Sequence, residues 1–594
     1  MSFVAARHAE IEADARRTGE EYRVWAPRAG RVVLHAGTDT LAMTKGADGW
    51  WTSGRPMRDG EQYAFAVDDE GPFPDPRSRF QPSGVHGRSQ CVDHSRFSWS
   101  DRGWQAPPLS SAVIYELHVG TFSGDGTFAG VIPHLPELVD LGVTHVELMP
   151  VVEFSGARGW GYDGVDLFAP HHAFGGPGGL KRLVDACHGV GLAVILDVVY
   201  NHLGPIGNYL SRFGPYFTAR HATPWGEAVN LDGPGSDEVR RFIIDNACMW
   251  LRDYHMDGLR LDAVHALIDT SATHLLEELA TTVERLGAAL GRHLAVIAES
   301  DLNDPRIVRH RSAGGYGLDA QWSDDFHHAL HAVITGERSG YYEDFGRLSQ
   351  LATAFREGFV YSGAYSPHRQ RSHGRPPLGV PGPRFVVSAQ NHDQVGNRAR
   401  GERLSHLVSP DRARIAAALL LCSPFVPLLF QGEEWAASTP FLYFTSHDDS
   451  ELGRLVCEGR RREFAAFGWD PAVVPDPQAV ETFERSRLRR DERDRAAHAS
   501  MLEWYRALIA LRRDQPALRD GARERTLVDV DEGSQRLTLI RGDIFVACNL
   551  GSGVAVASCP AARRLLLAST PEITLVGGQI HLPPDSVAIM GWGG

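Results

Sequence analysis

Leu192-Ala-Val-Ile-Leu-Asp-Val-Val-Tyr-Asn-His202 is the stretch on which the fold turns. Apolar and β-branched residues run almost unbroken to Tyr200, the pattern of a strand, and the polar Asn201 and His202 follow at its C-terminal tip. The amphipathic stretch Gly178–Val190 precedes it and a second, Ser236–Tyr254, follows, as right-handed crossovers between parallel strands require. Seven further runs have the same character: Val113–Gly120, Val143–Val151, Asp257–Ala263, His293–Glu299, Leu318–Asp324, Arg384–Asp393 and Val426–Glu434. Together they make eight, the number that closes a (β/α)8 barrel of the TIM type, whose chemistry sits at the C-terminal strand tips.

The rest of the chain is organised around that barrel. A polar leader spans 1–20. Residues 21–104 predict an N-terminal β-sandwich resembling a carbohydrate-binding module, from strands at Tyr22–Ala26, Arg31–His35 and Gln62–Val67 before the Pro-rich Gly71-Pro-Phe-Pro-Asp-Pro76 interrupts regular structure. Residues 105–520 hold the barrel, with insertions at 203–235 and 335–383 long enough to shape substrate specificity on its catalytic face. Within them, Glu484–Arg495 reads as a solvated helix surface and Met501–Arg513 as the closing helix. Alternation at Leu537–Ile540, Ile544–Cys548 and Val554–Ala557 predicts a C-terminal antiparallel β domain, a second sandwich, over 521–594. The fold class is multidomain α/β.

Composition narrows the function. A chain of 594 residues exceeds one core, and about three or four domains are expected. The 74 acids against 60 Lys and Arg give a net charge of −14, which disfavours nucleic acid as a partner and leaves a neutral ligand such as sugar. No apolar run is long enough to span a membrane. The seven cysteines are scattered without CxxC spacing, so buried reduced thiols are expected. Met1 to Arg17 carries Glu10, Glu12 and Asp14 and lacks the apolar core of a secretory signal, which places the protein in the cytoplasm.

Four short segments at strand tips carry the chemistry: Asp197-Val-Val-Tyr-Asn-His202, Gly258-Leu-Arg-Leu-Asp-Ala263, Ala298-Glu-Ser300 and Asn391-His-Asp-Gln394. If Asp262 ends the fourth strand and Glu299 the fifth, the ~4.8 Å strand spacing approaches the carboxyl separation of about 5 Å used by retaining glycosidases. Asp262 is then the nucleophile and Glu299 the acid/base. Arg260, two residues before Asp262 on the same strand face, holds the nucleophile ionised. Asp393 hydrogen-bonds sugar hydroxyls and favours a distorted ring, with His202 and His392 as neutral donors. Tyr162 offers an aromatic platform to the sugar. Any one such motif is more often a cap or an ion-pair partner; four in order at strand tips are hard to reconcile with coincidence. Asp197 is expected to support catalysis indirectly by fixing Arg260 or a loop.

Other signals are weaker. The i, i+4 spacing of His327 and His331, with His328 beside them, could bind a metal but fits hydrogen bonding in a sugar cleft. Gly175-Gly-Pro-Gly-Gly179 lacks the Lys-Ser/Thr ending of a phosphate loop. Asn201 alone cannot define a calcium site. No metal and no cofactor is assigned.

The four segments resemble the four conserved regions of the α-amylase superfamily, glycoside hydrolase family thirteen, and the resemblance extends over nearly the whole chain. It implies the same trio: Asp262 as nucleophile, Glu299 as acid/base and Asp393 as transition-state stabiliser, supported by Arg260, His202 and His392. Within the superfamily, an N-terminal sandwich is similar to branching, debranching and trehalose-releasing enzymes. The motifs Tyr115–Phe122, Gly159–Gly164, Trp322–His328 and Gln431–Phe441 look like the trehalose-releasing members. Branching enzymes usually carry Trp-Gly-Tyr-Gln where this chain has Trp160-Gly-Tyr-Asp163. The resemblance thus implies hydrolysis of the α-1,4 bond beside a terminal trehalose on a maltooligosaccharide, in trehalose biosynthesis. Tyr162, Asp163, Trp322, Asp324, Asp325 and Trp435 are expected to line the sugar site. A maltooligosyltrehalose synthase supplying the substrate is the implied pathway partner. A branching transferase using the same trio, and a non-catalytic glucan-binding protein, are the alternatives.

Overall fold

The computed structural model describes residues 21–466, 470–559 and 563–592; the expected polar leader lies outside them. Eight strands close a parallel barrel: β1 (Ile114–Leu117), β2 (His145–Leu148), β3 (Ala193–Val198), β4 (Gly258–Leu261), β5 (Ala295–Ala298), β6 (Ala320–Trp322), β7 (Phe385–Ser388) and β8 (Val426–Phe430). They neighbour one another in chain order, and β8 closes onto β1 through Leu428↔Ile114, Leu429↔Tyr115 and Phe430↔Glu116. Each falls inside one of the eight runs expected from sequence. The helices Gly176–Gly189 and Ser236–Asp253 flank β3 as its crossovers.

Side chains alternate along a strand, so residues two apart share a face. Ile114, Ile195, Ile297, Val386 and Leu428 point inward and form an apolar cluster of their own. Two residues further along β1, β3 and β5 the same face carries Glu116, Asp197 and Glu299. A dry layer in the barrel therefore supports a charged layer above it.

Antiparallel sheets precede and follow the barrel. Val32–Ala36, Asp39–Ala42, Gln62–Val67 and Glu70–Phe73 are joined in one, and Glu21–Trp25 pairs with Trp50–Pro56 in another. At the other end, Thr526–Asp531, Arg536–Arg541, Ile544–Asn549, Ser586–Trp592 and Arg563–Ala568 form a five-stranded sheet. Arg412 ties it to the barrel, donating to Asp585 at 2.9 Å and to the Leu550 carbonyl at 3.0 Å. The insertion at 203–235 folds into a hairpin, Phe217–Thr223 with Gly226–Val229. All seven cysteines are buried, and none is in a disulfide among the described residues. Among the described residues no helix is long and apolar enough to cross a membrane.

Two expectations change here. Glu484–Arg495 is not a solvated helix surface: a short helix, Val480–Arg485, gives way to a turn at Arg490–Glu492, and Glu492 is fully buried. Trp435, expected at the sugar site, is also fully buried. The turn Glu433–Trp435 after β8 drives its indole inward, where the N–H faces Glu492 at 3.4 Å and the Arg493 guanidinium lies 5.1 Å from the ring. Trp435 packs the core because this cluster, not the cleft, satisfies its one polar atom. Trp435→Ala is expected to destabilise the fold by about 3–5 kcal/mol, the usual cost of deleting a buried aromatic, read as a fall in the denaturant midpoint.

Candidate active site

Arg260 organises the charged layer. Its side chain is 1% exposed on β4, in register with Asp197 on β3. Nη1 donates to Asp197 Oδ2 at 2.7 Å and to Asp262 Oδ1 at 3.0 Å, while Nη2 lies 2.9 Å from Glu299 Oε2. Its guanidinium stands 4.3 Å from the Trp322 ring. The two carboxylates begin where their strands end: the Glu299 amide donates to the Leu261 carbonyl at 2.9 Å, and the Ala263 amide to Glu299 Oε2 at 2.8 Å. Ala263 adopts φ +39°, a left-handed conformation costing an alanine roughly 1–2 kcal/mol, and this bond helps to hold it. The free oxygen of Asp262 accepts from Asn201 Nδ2 at 3.1 Å.

Electrostatics separates the acids. Burial raises the Glu299 carboxyl, with Arg260 opposing and Asp262 adding. Burial likewise lifts Asp197 to about 7 against the pull of Arg260. Asp393, on the short helix His392–Gly396 after β7, is raised by burial, with His392 opposing and Glu299 adding. Its side chain is 46% exposed, open to the cleft, and Oδ1 accepts from Asn397 Nδ2 at 2.8 Å.

Tyr162 caps this layer, donating its hydroxyl to Asp197 Oδ2 at 2.6 Å and stacking on His392 with ring centroids 5.2 Å apart. His202 contacts the Tyr162 carbonyl through Nε2 at 2.8 Å, and burial pushes its pKa down to about 4, favouring the neutral ring. His392 differs. Burial works against its charge, but Glu116 outweighs it and lifts the pKa to about 9, so the ring is cationic at neutral pH rather than neutral.

The remaining expected residues divide. Asp324 lies near Glu299 and Asp393, and burial together with those two charges holds its carboxyl well above the usual range. Trp322 is 4% exposed and floors the site under Arg260 rather than opening to it. Asp325 is buried and already committed: it accepts from Asn303 Nδ2 at 2.8 Å and from the Val360 and Tyr361 amides at 2.7 and 2.8 Å, anchoring the second insertion. All three donors go to Oδ2. Asp163 faces His447 at 3.6 Å. Beyond that pair opens a cavity of about 580 Å³ lined by Val85, His86, Arg158, His172, His447 and Asp448 among others.

His327 contacts the Ala389 carbonyl and the Tyr342 hydroxyl, both at 2.9 Å, and His331 contacts Glu337 at 2.6 Å. Among the described residues, Glu153, His171 and His172 bring possible metal-ligand atoms within 4.8 Å of one another. The His172 amide donates to Glu153 Oε2, His172 Nδ1 meets Glu153 Oε1 and the Ala173 amide donates to His171 Nδ1.

Three residues escaped the sequence reading. Trp225, at the tip of the hairpin in the first insertion, lies flat on His202 at 4.4 Å with an interplanar angle of 5° and is still 49% exposed. Aromatics in a long insertion were the available signal. Glu116 sits inside the Tyr115–Phe122 motif, whose alternation puts it on the inner face. His447 had no signal, because nothing local says that the 440s fold back onto Asp163.

Residues 95–213 match the family described as alpha amylase, catalytic domain. The malto-oligosyltrehalose trehalohydrolase of Arthrobacter ramosus is 52% identical over 96% of this chain and 99% of its own length. The chain belongs to the malto-oligosyltrehalose trehalohydrolase family. A putative alpha amylase of Salmonella typhimurium, solved by crystallography, superposes with a TM-score of 0.88 at 38% identity, covering 96% of this chain and 97% of that one. A 1,4-alpha-glucan branching enzyme of Pseudoalteromonas atlantica is a more distant relative of the trehalohydrolase family, 28% identical over 57% of this chain and 53% of its own. Asp325→Ala leaves three donors unpaired and is expected to lower stability by on the order of 3 kcal/mol, measured by thermal unfolding.

Proposed function

We propose that this chain is a retaining glycoside hydrolase that cleaves the α-1,4 bond next to the terminal trehalose of a maltooligosyltrehalose and releases trehalose. The observation that carries the reading is the shared Arg260 guanidinium, which holds Asp262 and Glu299 as neighbours on adjacent strand ends. Asp262, held by hydrogen bonds from Arg260 and Asn201, attacks the anomeric carbon. Glu299, whose raised pKa keeps its proton available, protonates the leaving glycosidic oxygen. Trehalose departs, water enters, and Glu299 takes a proton from it as it displaces Asp262, regenerating both groups. Asp393 is open to the cleft to bind hydroxyls of the distorted ring. Tyr162 and Trp225 offer aromatic faces, and the cavity beyond Asp163 is large enough for further glucose units. The supplier of the substrate is a maltooligosyltrehalose synthase, and the seven reduced cysteines suit the cytoplasm.

Wild type and Asp262→Ala are compared on maltotriosyltrehalose and on maltopentaose. Free trehalose from wild type only, with maltopentaose cut much more slowly, is expected; equal cutting of both would refute the specificity, and new α-1,6 branches would make the chain a transferase. Proton NMR recorded before mutarotation should show the α-anomer at the new reducing end of the released maltotriose, since a double displacement retains configuration. Glu299 must be protonated to act, so kcat/KM should fall as pH rises through its elevated pKa. Glu299→Gln should lose about 10²–10⁴-fold in rate and that alkaline limb with it. Trp225→Ala is expected to raise KM about tenfold with little change in kcat, equivalent to ~1.4 kcal/mol of lost ring contact.

A further inference from the structure

Glu116 projects from β1 into the charged layer with its side chain 1% exposed, and both of its oxygens go to one residue. Oε2 accepts the His392 backbone amide at 2.9 Å, and Oε1 accepts from His392 Nδ1 in a short contact. On the far side of the ring, Nε2 lies 2.8 Å from the Tyr162 hydroxyl oxygen. Tyr162 has one proton to give, and Asp197 Oδ2, held as an acceptor by Arg260 Nη1 at 2.7 Å, takes it at 2.6 Å, while the same Nη1 approaches the Tyr162 oxygen at 3.4 Å as a donor. The Tyr162 oxygen must therefore accept from Nε2. A carboxylate on one side and an occupied hydroxyl on the other leave the imidazole donating from both nitrogens, the state of a cation.

We infer that Glu116 is a positioning residue for the hydrolysis proposed above, holding His392 as an imidazolium whose charge stands beside Asp393. The pairing is mutual. Glu147, facing from β2, is kept protonated by burial with Glu116 adding, and burial pushes His118, which follows β1, down to about 4, leaving both neutral. Arg260 is bound to Asp197, Asp262 and Glu299. The charge opposite Glu116 is thus the His392 ring. Its Nε2 is 3.9 Å from Asp393 Oδ1, where a positive charge favours the ionised carboxylate that burial and Glu299 disfavour.

Glu116→Gln preserves shape and removes the charge, and its amide can donate to a neutral ring. His392 should then titrate near or below the ordinary value of about 6.5. Wild type and Glu116→Gln are assayed for trehalose release from maltotriosyltrehalose between pH 5 and 9. The variant is expected to keep kcat within about threefold at pH 5, lose at least about tenfold at pH 8, and hold KM within about twofold, so that its alkaline limb moves to lower pH by about one unit or more. An equal loss at every pH, or no loss, overturns the inference. NMR of ¹³C-histidine-labelled wild type, with His392 assigned by its disappearance in His392→Asn, decides the matter without any substrate. A midpoint above about 8 supports the charged ring and one below about 7 refutes it. Were wild type to release no trehalose, the proposed hydrolysis would fail and the titration would still judge Glu116.

Discussion

One buried guanidinium governs the catalytic end of this barrel. Arg260 is enclosed on β4, yet three carboxylates reach it from three consecutive strands. An isolated charge there would cost several kcal/mol in lost hydration, so the arrangement is stable only as a set. The planar fork of arginine fits this task in a way an ammonium cannot, because Nη1 addresses the carboxylates on β3 and just past β4 while Nη2 addresses the one that follows β5. The face of the Trp322 ring completes the enclosure.

That set has consequences for everything near it. With Asp197 bound to Arg260, the Tyr162 hydroxyl has a fixed acceptor, which orients its ring and turns its oxygen toward His392. Glu116 then meets His392 from below. The network runs from β1 through the Asn391–Asp393 segment and the Tyr162 loop to β3 and β4, and the groups left at its rim, Glu299 and Asp393, carry raised pKa values. Trp225 closes the other side over His202. The rim is where a ligand can reach, and the interior is occupied by groups that hold the rim in place.

Much of this was legible from the chain alone. The apolar runs are long enough, and regular enough in their alternation with helical stretches, to specify eight strands, and the Arg260–Asp262 spacing of two puts both side chains on one face. Trp322 and Trp435 are expected in the cleft because a position at or past a strand tip looks the same in sequence whether its side chain turns out or in. The turn after β8 sends Trp435 inward, and the Val360 and Tyr361 amides hold Asp325 Oδ2. Their partners lie 35 to 57 residues away in sequence, beyond the reach of any local pattern.

The charge of His392 is the clearest division between the two levels. Sequence determined the barrel, the acids at its strand tips and their chemical class, because strand periodicity and residue type are local properties. It left His392 an ordinary imidazole. Only closure of β8 against β1 and the descent of the segment after β7 bring Glu116, 276 residues distant, against that ring. Protonation state depends on the neighbours within a few ångströms, and those are set by tertiary structure.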